Sequence, residues 1–175
     1  MQTYTKHFFE PDKTNIFKSL QNLNSDLIVK IIDHKKRQPL KDSHTLHQEV
    51  TLEKIDSFER NYSVNPVPEH ENDLYVYLEE RSPKQRYNIM MKVYEKYLKL
   101  APKLYDLGIY HTDLRFHNFM VDKNDNPKII DVEHFHYVTP FEFMFWHNGF
   151  LNFFQQTFSD QMMDHLFYKV AISLK

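Results

Sequence analysis

Only two of the 175 residues are glycine, Gly108 and Gly149, and this scarcity restricts the chain more than any other feature of its composition. Glycine is the residue that takes left-handed backbone at no steric cost and lets a main chain approach a ligand closely. With no glycine before Gly108, the first half of the chain must make its tight turns from other residues. A glycine-rich phosphate loop cannot stand there in its usual form.

Apolar material is ample. Hydrophobic residues make up 41% and aromatics 15%, with 15 Phe and 11 Tyr, enough for one domain around one core at this length and incompatible with disorder. Charges are interspersed and the formal net charge is −2, so no basic field points to nucleic acid or to a membrane surface. The absence of cysteine excludes disulfides, thiol catalysis and thiolate metal sites, and suggests a reducing compartment. No apolar segment follows Met1 as a secretory signal requires. The most apolar stretch, Phe141 to Phe154, is interrupted by Glu142, His147, Asn148 and Asn152. It reads as a buried aromatic-rich helix or loop rather than a membrane span. We expect a cytoplasmic protein.

Punctuation divides the chain into a part of short elements and a more helical remainder. Leu27 to Asp33 (LIVKIID) is β-branched and bounded by polar residues, which predicts a buried strand with Lys30 at its middle. Leu46, Val50, Leu52, Ile55 and Phe58 recur at mostly helical spacing, which predicts a helix over Ser43 to Arg60 with Ser43 as N-cap. The proline-bearing turn Asn65 to Pro68 follows. Asp73 to Glu79 (DLYVYLE) predicts a strand. Lys84 to Leu107 predicts a long helix buried along Ile89, Val93, Tyr97, Leu100 and Leu104, kinked or interrupted at Pro102 and closed by Gly108. Phe119 to Val121 and Lys128 to Ile130 flank the turn formers Asp122 to Pro127 and predict a hairpin. Helix is expected again from Asn152 to Leu174.

Chemistry concentrates in Gly108 to Phe135. The run His111-Thr112-Asp113-Leu114, followed by Asn118, and Asp131 thirteen residues further on, resembles the catalytic core of protein kinases and of the related aminoglycoside and choline phosphotransferases. Phosphoryl transfer depends on positioning and on electrostatic stabilisation of spread negative charge, and so calls for hard oxygen ligands around magnesium. The resemblance implies that Asn118 and Asp131 hold Mg2+ on the phosphates of ATP, that Asp113 accepts or orients the acceptor hydroxyl, and that His111 braces the loop. It also implies that Lys30 contacts phosphate and pairs with Glu49, nineteen residues later on the expected helix. Without those partners Lys30 would reach solvent from an edge strand and Glu49 would be one charge on a solvated face.

The implied fold is α+β and protein-kinase-like, in a single domain: a small β-rich N-terminal lobe with one helix over residues 1–80, and a truncated, mainly helical C-terminal lobe over 81–175. Thr112 stands in place of the family's arginine, and Val132-Glu133 in place of its Phe-Gly. The glycine-rich loop is missing or rebuilt from residues such as Ser19, Asn22 and Asn24. Only 44 residues follow Asp131, a brevity similar to minimal kinases delivered by bacteria as effectors and to short viral or phage kinase-like proteins. The hinge-like Glu79 to Ser82 leads directly into the long helix, which favours a Ser/Thr kinase with a protein substrate. A pseudokinase that binds a protein partner through its aromatic tail, and a small-molecule kinase, are the alternatives. Two competing metal readings are weaker. Asp122, Asn124, Asn126 and Glu133 echo a calcium loop, but Pro127 stands where φ > 0 is required. A histidine site around His111 and His117 lacks evident convergence, and His134 and His136 read as surface or supporting residues.

Overall fold

A computed structural model of the chain describes residues 3–36, 46–55, 74, 78, 81–122 and 124–173, with side chains described to residue 159. Strand β1 (Thr3–Glu10) is followed by helix α1 (Thr14–Leu23) and by β2 (Ile31–Lys36) and β3 (Leu46–Glu53). The three strands form one antiparallel sheet in the order β1-β3-β2. Gln48, Val50 and Leu52 of β3 are buried while their neighbours are not. That period of two turns one face of the sheet to the core. Helix α1 covers that face with Ile16, Phe17 and Leu20; the Phe17 ring lies 5.9 Å from Phe8 and 4.8 Å from His34.

The strand β3 corrects the expected helix over Ser43 to Arg60, of which residues 46–53 are extended and 43–45 and 56–60 lie outside the described residues. Gln48 concealed the alternation. It is fully buried because its amide takes the Lys13 N–H (3.0 Å) and donates to the carbonyls of Glu10 (3.0 Å) and Pro11 (2.9 Å), which locks the β1–α1 turn. A satisfied amide can occupy a core position that its polarity appears to forbid.

The expected strand Leu27 to Asp33 is displaced. The sheet ladder begins at Ile31, while Ile28 makes a separate parallel bridge to Ile129. Leu74 and Leu78 are helical and fully buried, which corrects the expected strand at those two positions; a spacing of four fits one face of either element. The rest of Asp73 to Glu80, like the turn Asn65 to Pro68, lies outside the described residues.

The expected long helix is α2 (Pro83–Asp106), started by a Ser82/Gln85 capping box and continuing through Pro102. Strand β4 (Ile109–His111), hairpin β5–β6 (Phe119–Val121, Pro127–Ile129) and β7 (Phe135–Tyr137) follow, and α3 (Pro140–Ser173) is the last described element. Helix α3 begins earlier than expected, at a second capping box in which Thr139 and Glu142 exchange hydrogen bonds of 2.8 and 3.3 Å. It packs on α2 through Phe150 over Tyr97 (4.4 Å) and Phe154 over Tyr94 (5.4 Å). The Tyr97 hydroxyl, buried between them, meets Tyr110 at 2.9 Å and His147 Nδ1 at 2.7 Å. Burial holds both tyrosines protonated well above the ordinary phenol range.

One contiguous core runs from Phe8 to Phe154 and draws on every layer. Among the described residues, left-handed backbone occurs at Gly108 and at three residues that are not glycine, Asn24, Asp125 and Asp131. Asn and Asp are the side chains that tolerate this region best, so they replace the missing glycines. Among the described residues no helix is long and apolar enough to cross a membrane.

Candidate active site

Two loops meet where β4 pairs with β7. His111 lies opposite Phe135 in that ladder, so the loop running from His111 to Asn118 is laid against residues 130–134. Four hydrogen bonds fasten them, two of them main chain to main chain. His111 Nε2 donates to the Ile130 carbonyl (3.1 Å), Ile130 N–H donates to the Asn118 carbonyl (2.9 Å), and Thr112 donates to the His134 carbonyl from its N–H (2.9 Å) and its hydroxyl (3.3 Å).

Within this frame Asn118 Nδ2 donates to both the carbonyl (2.7 Å) and the carboxylate (3.0 Å) of Asp113. The other Asp113 oxygen receives Arg115 Nε at 3.0 Å. One turn of 3₁₀ helix, Phe116–Asn118, sets Asn118 in place by burying Phe116 completely. Asp131 sits one residue beyond Ile130 with φ 56° and ψ 49°, a conformation that turns the chain and presents its carboxylate toward the sheet. His111, Asp113, Asn118 and Asp131 are thus brought together by the fold.

His111 is almost completely buried, and desolvation pushes its pKa down to about 4. Its Nε2 faces an acceptor and therefore carries the proton, while Nδ1 has no hydrogen-bond partner among the described residues. The ring thus ties the Asp113 loop to residue 130.

The lysine at Asp131 is Lys6. Its ammonium contacts Asp131 Oδ1 at 2.8 Å and also the Glu133 carboxylate. Burial lowers its pKa, but the bonds and charges of Asp131 and Glu133 outweigh that and hold it above the ordinary lysine value. Lys6 shares its strand face with Phe8, opposite Val50, so it points to the core side of the sheet. A second cation, Lys13, is 3% exposed and donates to the carbonyls of Glu133 and Phe135. Burial pulls its pKa down, with Glu10 and Glu133 opposing.

Lys30 and Glu49 lie elsewhere. The Lys30 side chain is exposed, and the Lys30 main chain pairs with Glu53 through Lys30 N–H to Glu53 Oε1 (2.9 Å) and Glu53 N–H to the Lys30 carbonyl (2.9 Å). Glu49 is four residues back along β3, roughly 13 Å at strand rise, opposite His7 and Lys35. The structure therefore sets Lys30 beside Glu53 rather than Glu49, because the segment expected to be a helix is a strand. A signal for Lys6 was present: Tyr4, Lys6 and Phe8 alternate in a run of strand formers. Lys13 had none, since Asp12-Lys13-Thr14 reads only as a helix start.

The calcium-loop residues have another use. Asp122 accepts from the N–H groups of Asn124 (2.8 Å) and Asn126 (2.9 Å) and closes the β5–β6 hairpin, and these bonds hold its carboxyl below the usual range against the opposing effect of burial. Ser19 and Asn22 lie in α1 and Asn24 caps it, so they form helix rather than a phosphate loop. Beside Asp113 a groove of about 380 Å³ runs along Thr112, Leu114 and Arg115 to Phe145, Trp146 and Phe150 of α3. No protein-family model matches the chain, and no curated protein matches it.

Proposed function

We propose that the chain is an ATP-dependent phosphotransferase of protein-kinase-like fold that transfers the γ-phosphoryl group to a Ser or Thr hydroxyl of a protein. The observation that carries this reading is the Lys6 ammonium on Asp131, on a loop tied through Ile130 to the Asn118 that holds Asp113. A lysine on a strand that leads into a helix, an acid at the start of the final loop, and a second acid on an asparagine-braced loop make up the division of labour that phosphoryl transfer needs. In this reading Lys6, on β1 ahead of α1, takes the role that the family resemblance gave to Lys30.

The donor set fits magnesium. Ligand atoms of Asp131, Glu133 and His134 lie within 4.8 Å of one another, and the Asn118 amide nitrogen is engaged by Asp113, so its amide oxygen is the donor it would offer a cation. Asp131 and Asn118 would hold the ion, which when bound neutralises charge on the phosphates. Lys6 would move its contact from Asp131 to a phosphate oxygen. Asp113 would take the proton of the incoming hydroxyl, and Arg115 would keep that carboxylate aimed. The groove beside Asp113, with Phe145 and Trp146 exposed along its wall, is open enough for a polypeptide acceptor.

The test is ATP titration of the purified protein with and without Mg2+, followed by radiolabelled transfer to generic protein acceptors. Asp113→Ala and Asp131→Ala are each expected to abolish transfer while leaving the protein folded. Undiminished transfer in either variant overturns the assignment of the site, and no nucleotide binding by the parent protein points to a kinase-shaped interaction module instead.

A further inference from the structure

The outer face of the sheet, opposite Lys6, carries a second cluster that phosphotransfer does not use. His7 lies directly across from Glu49 in the β1–β3 ladder, and His47 is two residues before Glu49 on the same face. His7 Nδ1 is 3.2 Å from His47 Nε2 and 3.6 Å from Glu49 Oε1. One ligand atom from each of the three residues lies within 4.8 Å of the others.

We infer that His7, His47 and Glu49 form a site for a divalent transition metal, Zn2+ or an ion of similar ligand preference. Nitrogen and oxygen ligands at about 2.0–2.1 Å from a tetrahedral ion stand roughly 3.3–3.4 Å apart, and the two measured edges bracket that value. Two imidazoles and one carboxylate are a zinc ligand set that leaves a fourth position for water. The surroundings suit this: Glu49 is 14% exposed and His7 54%, so the site is anchored on one side and open on the other. His47 is held between rings, with Phe9 stacked at 5.0 Å and His7 at 5.4 Å. All three ligands stand on paired strands, which hold a site more rigidly than loops do. The other strand neighbour of Glu49 is Lys35, whose ammonium is drawn to Asp33 at 3.3 Å. A hydrogen bond between two imidazoles accounts for one edge of this triangle but not for the carboxylate on the same Nδ1.

The experiment is titration of the full chain with Co2+ as a spectroscopic stand-in, then displacement by Zn2+. One equivalent should bind with the intense visible absorption of a tetrahedral ion. His47→Ala and Glu49→Gln should each weaken binding at least about tenfold, since even outer partners of metal ligands are worth that much. Glu133→Gln, at the phosphotransfer site, should leave the spectrum unchanged. Because the ion would join β1 to β3, Zn2+ at a hundredfold excess over its Kd should raise Tm by roughly 5–10 °C, and this shift should vanish in His47→Ala. Absence of a tetrahedral spectrum overturns the inference, as does binding that survives His47→Ala and is lost in Glu133→Gln. Neither readout depends on phosphotransfer.

Discussion

Acidification should unfold this protein partly through one residue, His111. Its folded pKa is about 4, against about 6.5 in an unfolded chain. A folded pKa below the unfolded one means that the unfolded state binds more protons between these values, so stability is complete above pH 6.5 and declines as pH falls toward 4. The difference corresponds to about 3 kcal/mol in full, and to about 2 kcal/mol by pH 5. The groups around the ring, His134, Asp113 and Asp131, act on it more weakly than burial does. His34, His136 and His147 also titrate below the ordinary histidine value, with burial as the leading cause, and the carboxylates add their own slope. A comparison with His111→Gln, which keeps a donor for the Ile130 carbonyl but does not titrate, cancels those contributions. Urea unfolding of both proteins from pH 7 to pH 4.5 should show the parent losing about 2 kcal/mol more than the variant by pH 5. Parallel stability curves would refute the claim that His111 is a buried neutral brace.

Two further outcomes follow from the same geometry. Lys6→Met should lower phosphotransfer by ~10²-fold or more, the scale expected for losing a charge that faces the transferred group, whereas Lys30→Met should stay near parental rates; the reverse order in a steady-state assay would restore Lys30 to the site. Gln48→Ala should destabilise the fold by about 3–5 kcal/mol in chemical denaturation, because it strands the Lys13 N–H and the Glu10 and Pro11 carbonyls. Gln48→Leu, similar in volume, should cost nearly as much, and rescue by Leu would show that packing rather than hydrogen bonding matters there.

The elements with a long or strongly punctuated pattern were legible in the sequence. The stripe from Ile89 to Leu104 and the Asp122 to Asn126 turn rest on residues whose local neighbours decide their structure. What sequence did not disclose rests on tertiary satisfaction. Gln48 is a core residue only because three main-chain groups of the β1–α1 turn need it, and without it the alternation of β3 looks helical. Lys6 becomes a site residue only when β1 is laid beside β3 and turned toward Asp131. Helix α3 was foreseen as aromatic, but its division into buried Phe143, Phe150 and Phe154 and exposed Phe141 and Phe145 depends on where α2 lies.

The role of β1 follows from its pleat. Successive side chains of a strand point to opposite faces, so the adjacent residues Lys6 and His7 serve different sides of the sheet: Lys6 meets Asp131 and Glu133, and His7 meets His47 and Glu49. A slip of one residue in the β1–β3 register would exchange the two faces and dismantle both clusters at once. Lys13 guards against that slip from the far end of the strand. Its main chain is fixed by Gln48 of β3, and its ammonium is fixed by the carbonyls that follow Asp131. One buried lysine therefore references the sheet register to the loop that carries Asp131. An ion bound on the outer face would add a second lock on the same register, and would steady Lys6 through the residue next to it.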